Sequence, residues 1–243
     1  MSKEPYYLAY ERRYRAVYAA GASRWGHDPE ETELLQTLTA WVTEHELGGK
    51  RVLEFACGEG AAGVILSQLG CIYHGVDIAP SAVEKARQAL AEYPTASVSV
   101  LDMVHESVSG TFDAAIDIMG FHMLISDADR CLYLQNALSA LKPGAPMLFY
   151  KESYDEAAYE EEVASYEDWL RITGNDYDTP QLRRVLDSDI EVAIPLVPGR
   201  SRSKAGYLRE FSEAGFIVDG FKEMELNEQN PYSATIWVHK PIV

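Results

Sequence analysis

Apolar and polar positions alternate along the chain in two periods. Val52, Leu53 and Phe55 form a run of strand length that meets Gly58, Gly60 and Gly63, after which Leu66 and Leu69 continue at helical spacing. Residues 72–78 read as a second strand and 97–101 alternate like a third, with two further apolar runs inside 112–124 and 141–149. Helices are predicted over 31–46, over 82–91 behind Pro80-Ser81, and over 128–141 ahead of Pro143-Gly144. Helical spacing recurs over 156–172 and 207–214, and strands follow at 216–221 and 234–239. Strands and helices that alternate from 51 to 150 predict an α/β fold, a mostly parallel sheet with helices on both faces.

The glycine-rich turn carries the first chemistry. Without a Cβ, Gly58 and Gly60 take positive φ readily and let a ligand approach the backbone at a helix N-terminus. The spacing of Gly58, Gly60 and Gly63 also satisfies the dinucleotide fingerprint, which leaves a nicotinamide dehydrogenase as an alternative. Three features favour another ligand. Glu54, an acid inside the strand, repels phosphate and welcomes a cation. Asp77, ending the second strand, can accept hydrogen bonds from both hydroxyls of a ribose. Asp102-Met103, ending the third, pairs an acid for an adenine amino group with an apolar face for its ring. Together they describe a nucleoside pocket without a diphosphate.

VLEFACGEG (52–60), GVDIAPSAVEKAR (75–87), LDM (101–103), FDAAIDIMGFHML (112–124) and LKPGAPMLF (141–149) occur in the order and spacing of one family. In these segments the chain resembles the class I S-adenosylmethionine-dependent methyltransferases, strongly over about residues 50–150. The resemblance implies a Rossmann-like sheet of seven strands with the last strand antiparallel, and S-adenosylmethionine as cofactor. It implies that Glu54, Ala56, Cys57, Gly58 and Gly60 wrap the methionine part. Asp77 matches the ribose position with Ile78 beside the adenine, Asp102 and Met103 match the adenine pair, and Asp117 matches a cofactor contact near the end of the fourth strand. The sequence departs from the family where Glu54 replaces a more usual Asp and where Pro146 follows Gly144-Ala145.

Composition narrows the acceptor. A formal charge of −17 over 243 residues opposes nucleic acid, which needs clustered Lys and Arg. No uninterrupted apolar stretch approaches the ~18 residues of a membrane span, and the N-terminus lacks a signal-peptide core, so a cytoplasmic protein is expected. Cys57, Cys71 and Cys131 show no CxxC or Cys/His spacing, so neither disulfide nor metal is predicted. Cys57 reads as the small residue a tight turn wants, or as a nucleophile.

A single domain over 1–243 is expected, with an N-terminal helical cap (1–49), a cofactor-binding core (50–150), an inserted lid (151–203) and a closing helix and strands (204–243). Ligands of open α/β sheets bind at the carboxyl ends of the strands, within reach of both cap and lid. Trp25 is predicted to lie against the cofactor. Tyr14 and Tyr18, four residues apart, either cover the site or pack the helix onto the sheet. In the insertion Tyr154, Trp169 and Arg200 are candidate substrate residues. The basic group of Arg183, Arg184, Arg200, Arg202 and Lys204 either clamps an anionic group or pairs with surface acids such as Asp187 and Asp189. His122, after the fourth strand, is the candidate general base, with a structural or cofactor-contacting role as the alternative.

The sequence thus predicts a methyltransferase acting on a small-molecule oxygen, nitrogen or sulfur acceptor, without nucleic acid or membrane partners. A catalytically silent cofactor-binding sensor or partner subunit is the alternative from another class, and a protein methyltransferase is disfavoured by the long lid.

Overall fold

The computed structural model describes residues 4–177, 179–185, 189–194, 196–227 and 230–242. Helices α1 (Ala9–Ala19) and α2 (Thr32–Glu44) precede strand β1 (Arg51–Phe55), which leads through the glycine turn into α3 (Ala61–Gln68). Then follow β2 (Ile72–Asp77), α4 (Pro80–Ala89), β3 (Ser97–Val100), β4 (Ala114–Ile118), α5 (Asp127–Ala140) and β5 (Pro146–Ser153). The insertion contributes α6 (Tyr166–Thr173), β6 (Gln181–Arg184) and β7 (Glu191–Ile194), and α7 (Lys204–Ala214), β8 (Ile217–Asn227) and β9 (Asn230–His239) close the fold.

Seven strands form one sheet in the order β3-β2-β1-β4-β5-β9-β8. The strand β9 runs antiparallel to both β5 and β8, as the resemblance implies for the last strand. All five residues of β4 are buried, Asp117 included, because a central parallel strand is covered on both faces. One face packs Leu34, Leu38 and Trp41 of α2 with Ile65 and Leu66 of α3. The other packs Tyr133 and Leu134 of α5 and Phe211 of α7 against Phe55 and Phe149. Helix boundaries follow local chemistry: Pro80 opens α4, Ser126 caps α5 by accepting from Asp129 N at 3.1 Å, and Gly215 at φ 99° ends α7. Strand order reverses between β1 and β4, the switch point at whose carboxyl ends open α/β sheets bind ligands.

The insertion departs from its sequence pattern. The helix expected over 156–172 forms only at Tyr166–Thr173, because Ser165 accepts from Asp168 N and starts the helix there. Upstream, Glu160 is taken by Ser203 N, Arg202 and Arg209 instead of a helical face. The hairpin β6-β7 was not anticipated, although Val192 and Ile194 are buried between exposed Glu191 and Ala193. Those side chains join Val17 and Ala22 of the N-terminal cap in a separate small core. Cap and lid therefore pack on each other.

Ile194→Ala should loosen this small core without unfolding the sheet. Hydrogen exchange should show α1 amides opening about tenfold faster or more, with β1 and β4 unchanged. Uniform acceleration across the chain would contradict a separable unit.

Candidate functional site

Backbone strain marks the carboxyl edge of the sheet. Ala56 (φ 54°), Met119 (φ 59°) and Lys151 (φ 57°) hold left-handed conformations at the carboxyl ends of β1, β4 and β5. Each costs about 1–3 kcal/mol, and such strain gathers at binding and catalytic sites. Gly60 (φ 83°) caps α3 against α4, where a Cβ would lie 3.0 Å from that of Ala86. A Cβ at Gly120 would lie 2.5 Å from that of Ala56, so the turns after β1 and β4 approach backbone to backbone.

Buried acids line the same edge. Glu54 accepts from the Tyr73 hydroxyl and is pushed up to about 8 by burial. Asp77 accepts from Gly58 N and Ala79 N, each at 2.8 Å, and burial pushes it up to about 6. Asp117 accepts from Gly120 N at 2.7 Å, Phe121 N at 3.2 Å and the Tyr133 hydroxyl, and burial holds it well above the carboxylate range. Its carboxyl thus points into the fold and shapes the turn after β4. Burial also raises the Cys57 thiol well above its ordinary value, which opposes the nucleophile reading and fits a small packed residue.

At the β3 end, Asp102 accepts from the Tyr7 hydroxyl at 3.0 Å and lies 3.0 Å from His105 Nδ1. Met103 is buried, its sulfur 3.0 Å from Ala56 N, and half-buried Ile78 packs against the same cluster. Ala56, Asp77, Ile78, Asp102 and Met103 thus gather at the carboxyl ends of β1, β2 and β3.

The cap reaches the glycine turn through Glu59, a residue the sequence reading passed over. Its carboxylate accepts from the Tyr18 hydroxyl at 2.6 Å, from Trp25 N at 3.0 Å and from Gly26 N at 2.5 Å. A Cβ on Gly58 would lie 3.0 Å from the Tyr14 hydroxyl, so Tyr14 sits over the turn, 6.0 Å from the Tyr18 ring. Trp25 touches the glycine turn by its backbone, while its ring packs under the Arg13 guanidinium at 5.2 Å and beside the small cap–lid core.

His122 lies in the turn after β4. Its backbone N donates to Glu152 Oε2 at 2.8 Å, and Nδ1 is 2.9 Å from the same oxygen. Burial pushes the ring down to about 4, so it is neutral at pH 7, and Nε2 has no partner among the described residues. Its carbonyl accepts from Arg200 N at 2.7 Å, which draws the end of the lid over the turn.

Three candidate substrate residues hold the lid down instead of opening onto the carboxyl edge of the sheet. Arg200 is fully buried and donates to Ile125 O at 2.8 Å, Asp127 at 2.9 Å and Glu161 O at 2.9 Å. Trp169 packs with Ile125 and Val163 and donates to the Tyr177 hydroxyl, and Tyr154 donates to Glu156 while its ring meets Phe221. The other arginines also have protein partners: Arg202 binds Asp127 and Glu210, Arg183 binds Gln181, and Arg184 binds Asp189, while Asp187 lies outside the described residues. Lys151, unremarked in the sequence, is buried and pairs with Glu31 and Glu33 at the start of α2.

Residues 52–144 match the model of a methyltransferase domain. Aklanonic acid methyltransferase DauC of Streptomyces sp. (strain C5) is 32% identical over 104 residues, which cover 41% of this chain and 44% of that protein. Ubiquinone biosynthesis O-methyltransferase of Stutzerimonas stutzeri (strain A1501) is 24% identical over 150 residues, 59% of this chain and 64% of that protein. The chain thus spans between 44% and 64% of the length of these relatives. The structure of an S-adenosylmethionine-dependent methyltransferase from Clostridium acetobutylicum superposes with a TM-score of 0.63 at 13% identity, covering 97% of this chain and 99% of that one. No helix among the described residues is long and apolar enough to cross a membrane.

Over residues 52–144 the chain is thus similar to methyltransferase domains, and its fold is that of the class I S-adenosylmethionine-dependent methyltransferases. The cofactor of that class is S-adenosylmethionine, and the residues present fit it: buried acids suit a cationic sulfur, and a Cβ-free turn admits close contact.

The buried acids give a pH signature. Glu54 has a raised pKa in the folded chain, so the folded state binds more protons than the unfolded one between about 4.5 and about 8. Its contribution to stability is therefore present at low pH and lost as pH rises through that window. Glu54→Gln should gain on the native chain by roughly 2–4 kcal/mol between pH 5 and pH 8 in denaturant titrations. A pH-independent difference would contradict the burial argument.

Proposed function

We propose that the chain transfers a methyl group from S-adenosylmethionine to a small-molecule acceptor, a hydroxyl in the first instance. The observation that carries this reading is the set of desolvated acids around a strained glycine turn at the β1/β4 reversal. When bound, the cofactor supplies a methyl group on cationic sulfur, already activated for in-line displacement. The protein aligns the acceptor and excludes water.

In this reading Glu54, Ala56, Cys57, Gly58 and Gly60 surround the methionine part. Asp77 takes the ribose hydroxyls; its two bonds to backbone N–H leave other acceptor sites on the carboxylate. Ile78, Asp102 and Met103 receive the adenine. Asp117 acts through the turn it holds, and Tyr14, Tyr18 and Trp25 close the cap through Glu59. His122, neutral and unpartnered at Nε2, accepts the acceptor's proton. Oxygen is favoured over nitrogen or sulfur because the relative named for O-transfer shares 150 aligned residues with the chain.

Calorimetric titration with S-adenosylmethionine, S-adenosylhomocysteine and NADH tests the cofactor. Micromolar binding of the first two alone supports the reading, and binding of NADH alone overturns it. Asp77→Ala should weaken S-adenosylmethionine by at least about tenfold, near 1.4 kcal/mol, and unchanged affinity would remove Asp77 from the ribose site. Glu59→Ala should weaken the same binding by about tenfold while circular dichroism of the sheet stays native. An unaltered affinity would mean that the cap does not contribute to the cofactor site.

A further inference from the structure

Glu152 belongs to no motif, yet the structure builds the turn of His122 around it. The register between β5 and β9 shifts between Phe149 and Glu152, and Lys151 is left-handed, so the bulge re-aims Glu152 into the fold. There it is fully buried. One oxygen, Oε2, takes both the backbone N of His122 at 2.8 Å and its Nδ1 at 2.9 Å. That single acceptor fixes the turn and the ring together.

The other oxygen, Oε1, is buried with no N–H or hydroxyl donor on it. The carboxyl of Asp117, on neighbouring β4, lies within hydrogen-bonding reach of Glu152. Two buried carboxyls in contact require a proton between them. Burial raises Asp117 well above the carboxylate range and brings Glu152 to about 7, so the two carboxyls share a proton as a pair. The groups facing the pair are Glu54 from β1, Asp77 from β2, His122 from the turn after β4, Tyr133 and Arg130 from α5, Tyr207 from α7 and Tyr10 from α1. Arg130 is paired with Glu210, so its charge is balanced locally and Glu152 remains for the histidine.

We propose that Glu152 is a positioning residue for methyl transfer: it holds His122 in the tautomer with hydrogen on Nδ1 and the lone pair on Nε2. This rests on the reading of His122 as the base. In the proton transfer the acceptor O–H bond breaks, its proton bonds to Nε2, and the electron pair stays on oxygen. The Nδ1–H stays with Glu152, whose charge balances the imidazolium that forms. A second group that orients the base in this way is the usual requirement for a histidine to act from one nitrogen.

The test combines nitrogen-15 NMR of histidine-labelled full-length protein with steady-state kinetics between pH 5 and 9. Native His122 should carry hydrogen on Nδ1 and none on Nε2 at pH 7. Glu152→Gln should lower kcat about a hundredfold, with KM and S-adenosylmethionine affinity within about threefold. Without the carboxylate, the acidic limb of kcat should move to lower pH by about one unit or more. Glu152→Asp should recover part of the rate and of the profile. A merely structural role would move stability and leave the limb in place. An Nε2–H tautomer in the native protein, or unchanged kcat and limb in Glu152→Gln, overturns the proposal. Should Glu152→Gln fail to fold, the native tautomer and the Glu152→Asp profile decide it. Full activity in His122→Ala together with the Nδ1–H tautomer sinks the base reading instead, which separates the two failures.

Discussion

Desolvation of acids at the carboxyl edge of the sheet is the constraint from which the site follows. Glu54, Asp77, Asp117 and Glu152 are at most 7% exposed and stand on four adjacent parallel strands. A carboxylate moved out of water costs several kcal/mol unless something compensates it. Here the compensation is mostly neutral: the hydroxyls of Tyr73 and Tyr133 and the backbone N–H groups of Gly58, Ala79, Gly120, Phe121 and His122. Those N–H groups belong to the turns that follow β1, β2 and β4. The acids therefore hold the turns in shape, and the turns keep the acids buried.

Strain and capping follow from the same arrangement. Left-handed Ala56, Met119 and Lys151 are each held by a contact to a neighbouring element. Ala56 N meets Met103, Met119 N donates to Tyr150 O, and Lys151 is pinned by Glu31 and Glu33. Glu59 connects this rigid edge to a cap that has only a small core of its own with the lid, centred on Val17, Val192 and Ile194. A unit with few buried apolar contacts opens at lower free energy than the sheet beneath it.

The core was legible because its signals are local. The strands β1, β2, β4 and β5 show apolar runs, β3 alternates, and the helices between them carry Pro or Gly boundaries, so their order could be read directly. Asp77 and Asp102 were legible as acids at strand ends. Glu59 and Glu152 were not, because their roles depend on partners 41 and 30 residues away, Tyr18 and His122. Sequence periodicity reports which face is buried and says nothing of what stands opposite. The hairpin β6-β7 had a readable period of two, but only four residues per strand and a partner in α1 that periodicity does not reveal. Tyr154, Trp169 and Arg200 attracted attention for their chemistry, whereas the fold uses their size and hydrogen bonding to fasten the lid.

The fate of the basic residues bears on how an acceptor is recognised. In an acidic chain the group around residues 183–204 was the natural place to look for an anion clamp. Arg200 and Arg202 are instead buried within Asp127, Glu160 and Glu210, where removing one partner would leave an uncompensated charge. Arg184 pairs with Asp189, and Lys204 lies over the Phe221 ring. The terminal nitrogens of Arg200 are committed to Ile125 O, Asp127 and Glu161 O, so it cannot grip a carboxylate or phosphate bidentately through them without breaking the lid's own fastening. These contacts speak against an acceptor held by charge at these positions. On the proposed function they leave shape and the aromatic cap as the means of choosing it, and an oriented His122 would act most strongly where water is excluded.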